Sequence, residues 1–176
     1  MHNTEDKKWW IEYGVKKEAE FLQWCEERNL FAGLQKSSAP VYYPEFTYQG
    51  RYLDLKTVQT PFFMAGKKYG IDPNFAITLN TQDVLDCTHK YPKCQIIFDI
   101  DWESTTQFGV SVKARKEIRF LSYEKMQELI KEAPIHQYHK RGDDLQGNAK
   151  GSYILDLRDI ELVWVEDPVV KYLDWG

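Results

Sequence analysis

The sequence has little cysteine, no long apolar run and no excess of basic residues. Its three cysteines, Cys25, Cys87 and Cys94, are too few and odd in number for a disulfide framework, and they favour a reducing compartment. No apolar stretch approaches the length of a membrane span, and the polar start of the chain lacks the apolar core of a signal peptide. These absences predict a cytoplasmic protein.

The charge balance is slightly acidic, with 23 Lys and Arg against 27 Asp and Glu and a net charge of -4. Proteins that coat nucleic acid usually carry a basic excess, so this balance argues against that class. It leaves room for a local basic groove beside an acidic site. The 176 residues suit a single domain over 1–176, with residues 1–8 frayed at the start.

Hydrophobic periodicity predicts helices and strands in alternating groups along the chain. Helices are predicted at residues 9–29, 81–91 and 123–133, and Asn80 is the expected N-cap of the second. Strands are predicted at residues 41–48, 51–58, 75–79, 94–102, 108–113, 117–121, 152–157 and 161–165. This order predicts an α/β fold in which a central mixed β-sheet is flanked by helices.

Residues 43–57 have the pattern of two short strands joined at Gln49-Gly50. The opposed pairs expected for a two-residue loop are Tyr48 with Arg51, Phe46 with Leu53, and Glu45 with Asp54. Like charges directly opposite each other are destabilising in an antiparallel pair, whereas a divalent cation between Glu45 and Asp54 would make them a metal site. The two-residue period of a strand adds Lys56 to the face that carries Asp54.

The register of this hairpin depends on its turn. Gln is less suited than Asn or Asp to the positive φ that a two-residue turn requires of Gln49. A slip of one residue would move Glu45 to the opposite face. The predicted site therefore depends on the two-residue loop.

Glu18 is an unusual acid on the first predicted helix. The helical period gives an apolar stripe of Val15, Ala19, Leu22, Cys25 and Phe21. Glu18 falls within this stripe, and a carboxylate on a buried face is costly unless it is paired or metal-bound. The alternative is a partly hydrated helix boundary at which Glu18 bonds to a lysine.

Pro44-Glu45 on the first strand and Asp54-Leu55-Lys56 on the second resemble the signature of the PD-(D/E)xK nuclease superfamily, which includes type II restriction endonucleases and archaeal-type Holliday junction resolvases. Glu18, four residues after Gly14, fits the upstream acid of that signature. One departure is Glu45, where the family usually has Asp, which lengthens the carboxylate arm by one methylene. By motif, the resemblance covers residues 14–58.

The resemblance implies a restriction-endonuclease-like core and metal-dependent hydrolysis of phosphodiesters, most simply as a DNA endonuclease. It implies that Asp54, Glu45 and the Leu55 carbonyl hold Mg²⁺, with Mn²⁺ as a substitute. Glu18 would assist directly, through water or with a second ion. Lys56 would orient the attacking water or neutralise charge on the phosphate. A homodimer is expected if the enzyme cuts both strands of a duplex.

A nuclease must also bind a polyanion, and the basic residues supply candidates for phosphate contact. They are Lys113, Arg115, Lys116, Lys140, Arg141 and Lys150, with Lys67 and Lys68 in a predicted loop. The alternative for each is an ordinary solvated surface. The glycine-containing stretch 138–153 has the composition of a loop that could close on substrate.

Three other groups carry side chains of the kind that bind metals: Asp99 with Asp101, Cys87 with His89 and Cys94, and His136 with His139. The first has an ordinary explanation as the polar face of a half-exposed strand. The second lacks the CxxC spacing of zinc sites, and the third falls in a predicted loop.

Two functional alternatives remain beside the nuclease. One is a non-catalytic protein that uses the same fold to bind nucleic acid or protein, which the acidic net charge and the altered first acid favour. The other is an unrelated α/β protein in which Glu45 and Asp54 are surface acids.

Overall fold

The computed structural model describes residues 7–40, 43–138 and 151–166, with side chains described from residue 14 onward. The helices are α1 (Lys7–Glu27), α2 (Ala65–Tyr69), α3 (Thr81–Leu85), which a π-helical turn (Asp86–Lys90) extends, and α4 (Tyr123–Leu129). The strands are β1 (Gln35–Lys36), β2 (Phe46–Tyr48), β3 (Arg51–Val58), β4 (Ala76–Asn80), β5 (Gln95–Trp102), β6 (Thr105–Gln107), β7 (Val110–Val112), β8 (Arg115–Leu121), β9 (Ile135–His136), β10 (Ser152–Asp156) and β11 (Glu161–Val165). A 3₁₀ turn (Leu157–Asp159) joins the last two strands.

The strands form a mixed six-stranded sheet in the order β1-β2-β3-β5-β8-β11. β3 and β5 are parallel, and the other neighbours in this sheet are antiparallel. A three-stranded sheet, β4-β10-β9, and a β6-β7 pair complete the described strands. The predicted α/β class with a mixed sheet is confirmed, although the helices are few and three of the four are short.

The parallel pairing of β3 and β5 explains how the middle of the chain is arranged. Parallel neighbours need a crossover connection, and residues 59–94 supply it with α2, β4 and α3. The side chain of Asp83 on α3 reaches Lys56 on β3, so α3 covers the face of the sheet that carries Lys56. The crossover thus forms one wall of the candidate site.

Apolar side chains cover both faces of the sheet. On one face, α1 packs through Phe21 and Cys25 against a cluster that includes Leu53 and Ile97. The opposite face is covered by the three-stranded sheet, α3 and α4, through a cluster made of Phe98 and the residues Ile77, Leu79, Ile96, Ile100, Leu121, Met126 and Leu155. A strand buried on both faces has a continuous apolar sequence, which accounts for residues 96–98 of β5.

The apolar stripe predicted for α1 is only half correct. Phe21 and Cys25 are buried, but Val15 is 42% exposed and Ala19 is also exposed. The helical period predicts which residues share one face of α1. It does not predict how much of that face the sheet covers. The core begins at Phe21, so the first half of the stripe extends past the packed part of the sheet.

The β2–β3 hairpin has the predicted two-residue turn and register. Tyr48 pairs with Arg51 and Phe46 with Leu53, while Gln49 and Gly50 have φ of 52° and 73°. Both values are positive, as in the tight turns that match strand twist. The predicted strand over 41–48 is shorter than expected, because β2 begins at Phe46, after Pro44, which cannot donate to a ladder.

Replacing Gln49 with Asn should stabilise the protein by about 0.5 kcal/mol, because Asn tolerates positive φ better than Gln. Urea unfolding of the two proteins measures the difference. Gln49→Val is the matched control, and its β-branched side chain should destabilise the same turn. Equal stability of all three proteins would contradict the assigned turn geometry.

A buried ion-pair network fixes the connection between β10 and β11. Arg119 donates to Glu117 at 2.8 Å and to the carbonyls of Leu157 and Ile160, both at 2.7 Å. Arg115 donates to the second Glu117 oxygen at 2.9 Å. Glu117 is only 3% exposed, so its charge depends on these two arginines.

Replacing Arg119 with Met should destabilise the fold by about 3–5 kcal/mol, because two carbonyls and part of a buried charge lose their partner. Arg158→Met is the matched control: Arg158 pairs with Asp156 at 2.6 Å but is 55% exposed, so its loss should change the free energy of unfolding far less. Chemical denaturation compares the variants. Similar losses in both would show that the network does not stabilise this connection.

Candidate active site

Glu45, Asp54 and Lys56 line one pocket of about 230 Å³ on the α3 side of the sheet. Asp54 and Lys56 alternate along β3 with Leu53 and Leu55, which pack on the α1 side. Glu45 precedes the first residue of β2, and the hairpin register brings it to β3. Three of the four predicted catalytic residues therefore meet at one place.

The carboxyl groups of Glu45 and Asp54 are close neighbours in this pocket. Glu45 Oε2 accepts a hydrogen bond from the Leu55 N–H at 3.0 Å, and the charge of Asp54 acts on the Glu45 carboxyl group. Burial and the charge of Asp54 raise the pKa of Glu45 to about 8, from an ordinary value of 4.5. Near neutral pH, the metal-free Glu45 carboxyl group therefore keeps its proton.

Lys56 lies between two carboxylates. Its Nζ is 2.7 Å from Asp54 Oδ2 and 3.2 Å from Asp83 Oδ2. Burial alone would lower the pKa of Lys56, but the two acids outweigh it and raise that pKa above its ordinary value. Lys56 is therefore a fixed positive charge at neutral pH.

Asp83 belongs to this site, and the motif did not identify it. It lies in the first turn of α3, where the Asn80 side chain accepts from the Gln82 N–H at 2.8 Å, which confirms the predicted N-cap. Burial raises the pKa of Asp83 above its ordinary value. The sequence does place two acids, Asp83 and Asp86, three residues apart, and both line the pocket. Assigning them to the site would have required knowing that β3 and β5 pair in parallel.

Glu18 lies apart from the other three. Its Oε2 is 3.2 Å from Lys36 Nζ on β1, and its side chain is 20% exposed. The described residues that line the pocket do not include Glu18. Its pairing matches the alternative of a partly hydrated helix boundary bonded to a lysine, and its role as a metal ligand stays a prediction.

The basic candidates with described side chains lie outside the lining of the pocket. Arg115 donates to Glu117 and to the Asn74 carbonyl, and its guanidinium lies 4.5 Å from the Phe75 ring centroid. Lys116 is 3.6 Å from Glu166. Three candidates, Lys140, Arg141 and Lys150, fall outside the described residues, as does most of the predicted closing loop. Phosphate contacts by Lys113, Arg115, Lys116 and these three remain predictions.

The rival groups have ordinary surroundings. Asp99 and Asp101 line a separate cleft beside α1, where burial raises the pKa of Asp99. His136 Nδ1 is 2.8 Å from the Tyr69 hydroxyl, and His139 lies outside the described residues. Across residues 7–40, 43–138 and 151–166, no three His, Cys, Asp or Glu side chains form a ready metal-binding group. In the same part of the chain, no helix is long and apolar enough to cross a membrane.

Comparisons with known families, with curated proteins and with solved structures gave no match for this chain. The site is therefore interpreted from its own geometry and from the motif in the sequence. Its chemistry is that of two carboxyl groups and a charged amine that meet in one partly enclosed pocket.

Proposed function

We propose that this protein is a metal-dependent nuclease of the PD-(D/E)xK type, most simply a DNA endonuclease, with Glu45, Asp54 and Lys56 as its catalytic centre. The observation that carries the proposal is that Glu45, Asp54 and Lys56 line one pocket, with Lys56 Nζ 2.7 Å from Asp54 Oδ2. The motif required these three side chains to meet. Their convergence depends on a hairpin register that the sequence pattern predicted independently of the motif.

The order of elements supports a restriction-endonuclease-like core. A long helix precedes the acidic hairpin, and the second hairpin strand lies inside a mixed sheet. The hairpin itself is well anchored, because Phe46 and Leu53 are fully buried directly beside the two acids. A rigid hairpin holds charged side chains at a fixed separation, which catalysis by charge placement requires.

The residues of the pocket fit a divalent metal ion. Glu45 and Asp54 offer only oxygen donors, which Mg²⁺ and Mn²⁺ accept, and the motif adds the Leu55 carbonyl. Burial and the charge of Asp54 raise the pKa of Glu45, and a cation bound beside the two acids would offset both effects. When bound, the ion would polarise a phosphate oxygen and lower the pKa of a water molecule.

Lys56 supplies the positive charge that this chain itself brings to the reaction. Two acids hold its ammonium group in position. The group can therefore stabilise negative charge that develops on a phosphate without first having to be repositioned. Asp83 is a positioning residue in this scheme, because it contacts Lys56 at 3.2 Å.

A panel of nucleic acids tests the proposal. Closed-circular plasmid, branched DNA, single-stranded DNA and RNA are each incubated with the protein in Mg²⁺, Mn²⁺ or EDTA. We expect cleavage of at least one DNA substrate that depends on metal and is lost in Asp54→Asn. Glu128→Gln, a change at a carboxylate 66% exposed on α4, is the control and should cleave normally. Absence of cleavage on every substrate would remove the proposal.

A further inference from the structure

An exposed tyrosine ring lies at the mouth of the catalytic pocket. Tyr43 lines the same pocket as Glu45, from which Pro44 alone separates it in sequence. Its side chain is 36% exposed, although its ring centroid is only 4.6 Å from that of Tyr91 and 6.1 Å from that of Tyr52. Tyr91 is buried and Tyr52 is half-buried, so these two rings support Tyr43 from behind while part of it faces solvent.

A lysine accompanies this aromatic cluster. Lys90 Nζ lies 4.9 Å from the ring centroid of Tyr91 and 6.0 Å from that of Tyr43. A supported ring with a cation beside it has the two features that proteins use to hold an unpaired nucleotide: a stacking surface for the base and a positive charge for the phosphate.

The charge of the pocket disfavours a duplex. Four carboxylic side chains, those of Glu45, Asp54, Asp83 and Asp86, line it. Among the described residues of that lining, Lys56 is the one basic side chain. Duplex binding depends on rows of phosphate contacts, and its bases offer no free face for stacking except at an end. An unpaired strand can gain affinity from stacking instead.

A second groove, of about 480 Å³, continues from the pocket. Lys56 and Asp83 line both spaces, and the groove then runs past polar residues of β3 and β4 to Tyr138. Tyr138 is 44% exposed and packs edge-on against His136 at 4.8 Å. The proposed catalytic lysine therefore lies between two exposed tyrosine rings, where two adjoining spaces of about 230 and 480 Å³ meet.

We propose that the substrate of this site is an unpaired strand of nucleic acid, with one base stacked on Tyr43 and the neighbouring phosphate at Lys56. This inference rests on the proposed nuclease function and names its substrate class. Tyr138 receives a second base at the far end of the groove. Specificity for unpaired nucleotides arises because a base within an intact helix is covered on both faces.

Fluorescence anisotropy of a labelled oligothymidine, with Ca²⁺ in place of Mg²⁺, tests whether the site binds an unpaired strand through Tyr43. We expect Tyr43→Ala to weaken binding by about 5- to 100-fold, and Tyr43→Phe, which keeps the ring, to stay within about twofold of the wild type. Phe108→Ala, at a ring 71% exposed on the β6–β7 turn, is the control and should bind normally. Relaxed closed-circular plasmid should compete poorly. Equal affinity of wild type and Tyr43→Ala, or no binding at all, would overturn the inference.

Cleavage assays separate this inference from the function on which it rests. Metal-dependent cleavage of intact duplex at the same rate as an unpaired strand would support the nuclease function and exclude the proposed substrate class. Tyr43-dependent binding of oligothymidine without any cleavage would exclude the nuclease function and support only a binding site for an unpaired strand. Thermal unfolding of Tyr43→Ala confirms that the variant is folded before either result is interpreted.

Discussion

Replacing Lys56 with methionine should slow metal-dependent cleavage by about 100-fold or more. A prepositioned hydrogen-bond donor beside the negative charge that develops in the transition state contributes that much to a reaction rate. Methionine retains most of the apolar stem and removes the ammonium group. Metal binding should persist, because Glu45, Asp54 and the Leu55 carbonyl are unchanged. Single-turnover cleavage rates, measured beside Mn²⁺ affinity by calorimetry, give both quantities.

Two further variants keep this result interpretable. Lys56 compensates Asp54 and Asp83, so its loss also leaves acidic groups less well paired. The double variant Lys56→Met with Asp83→Asn removes one of these acids, and it should recover stability without recovering activity. Lys125→Met changes a surface lysine on α4 and should leave cleavage intact. Normal cleavage by Lys56→Met would exclude Lys56 from the catalytic centre.

Replacing Glu45 with glutamine should stabilise the metal-free protein at pH 8 by about 4 kcal/mol. The folded state holds the Glu45 proton up to a pKa of about 8, whereas the unfolded chain loses it near 4.5. Because the folded-state pKa is raised, wild-type stability should fall as pH rises from about 4.5 to 8. Glutamine carries no charge and can still accept a hydrogen bond from the Leu55 N–H, so the stability of the variant should not fall with pH in this way.

Metal ions should reverse the order of the two proteins. Mg²⁺ should bind only the folded wild type and raise its melting temperature, whereas Glu45→Gln would lack one of the two proposed charged ligands and should respond weakly. Thermal melts at pH 5 and pH 8, each with EDTA or Mg²⁺, measure all these effects, and the metal-free difference should shrink at pH 5. Asp72→Asn, at an exposed turn, controls for charge removal in general. A destabilised Glu45→Gln that still responds fully to Mg²⁺ would show that Glu45 is not a ligand.

Short-range patterns predicted the part of the site that lies on the hairpin. The period of two set Asp54 and Lys56 on one face, and the turn at Gln49-Gly50 set their register against β2. Both signals act within about ten residues, so the sequence carries them locally. The Asn80 cap was predicted for the same reason, since a cap concerns only its own first turn.

Most of the features that were missed depend on long-range packing. Asp83 joins the site only because β3 and β5 pair in parallel, and no local pattern specifies that neighbour. The exposure of Val15 depends on where the sheet beneath α1 ends. One missed feature is local: the short helix α2 contains Lys67 and Lys68, which were predicted to lie in a loop, and Gly70, with φ of 70°, ends that helix.

Cleavage by wild type and Asp54→Asn, on the same DNA and over the same range of Mg²⁺ and Mn²⁺ concentrations, tests the central claim most directly. Asp54 pairs with Lys56 at 2.7 Å, and its charge raises the pKa of Glu45, so it links the two other residues of the proposed catalytic centre. We expect saturable metal-dependent cleavage by the wild type and none above background by Asp54→Asn. Equal cleavage by the two proteins, or cleavage that persists in EDTA, would contradict it.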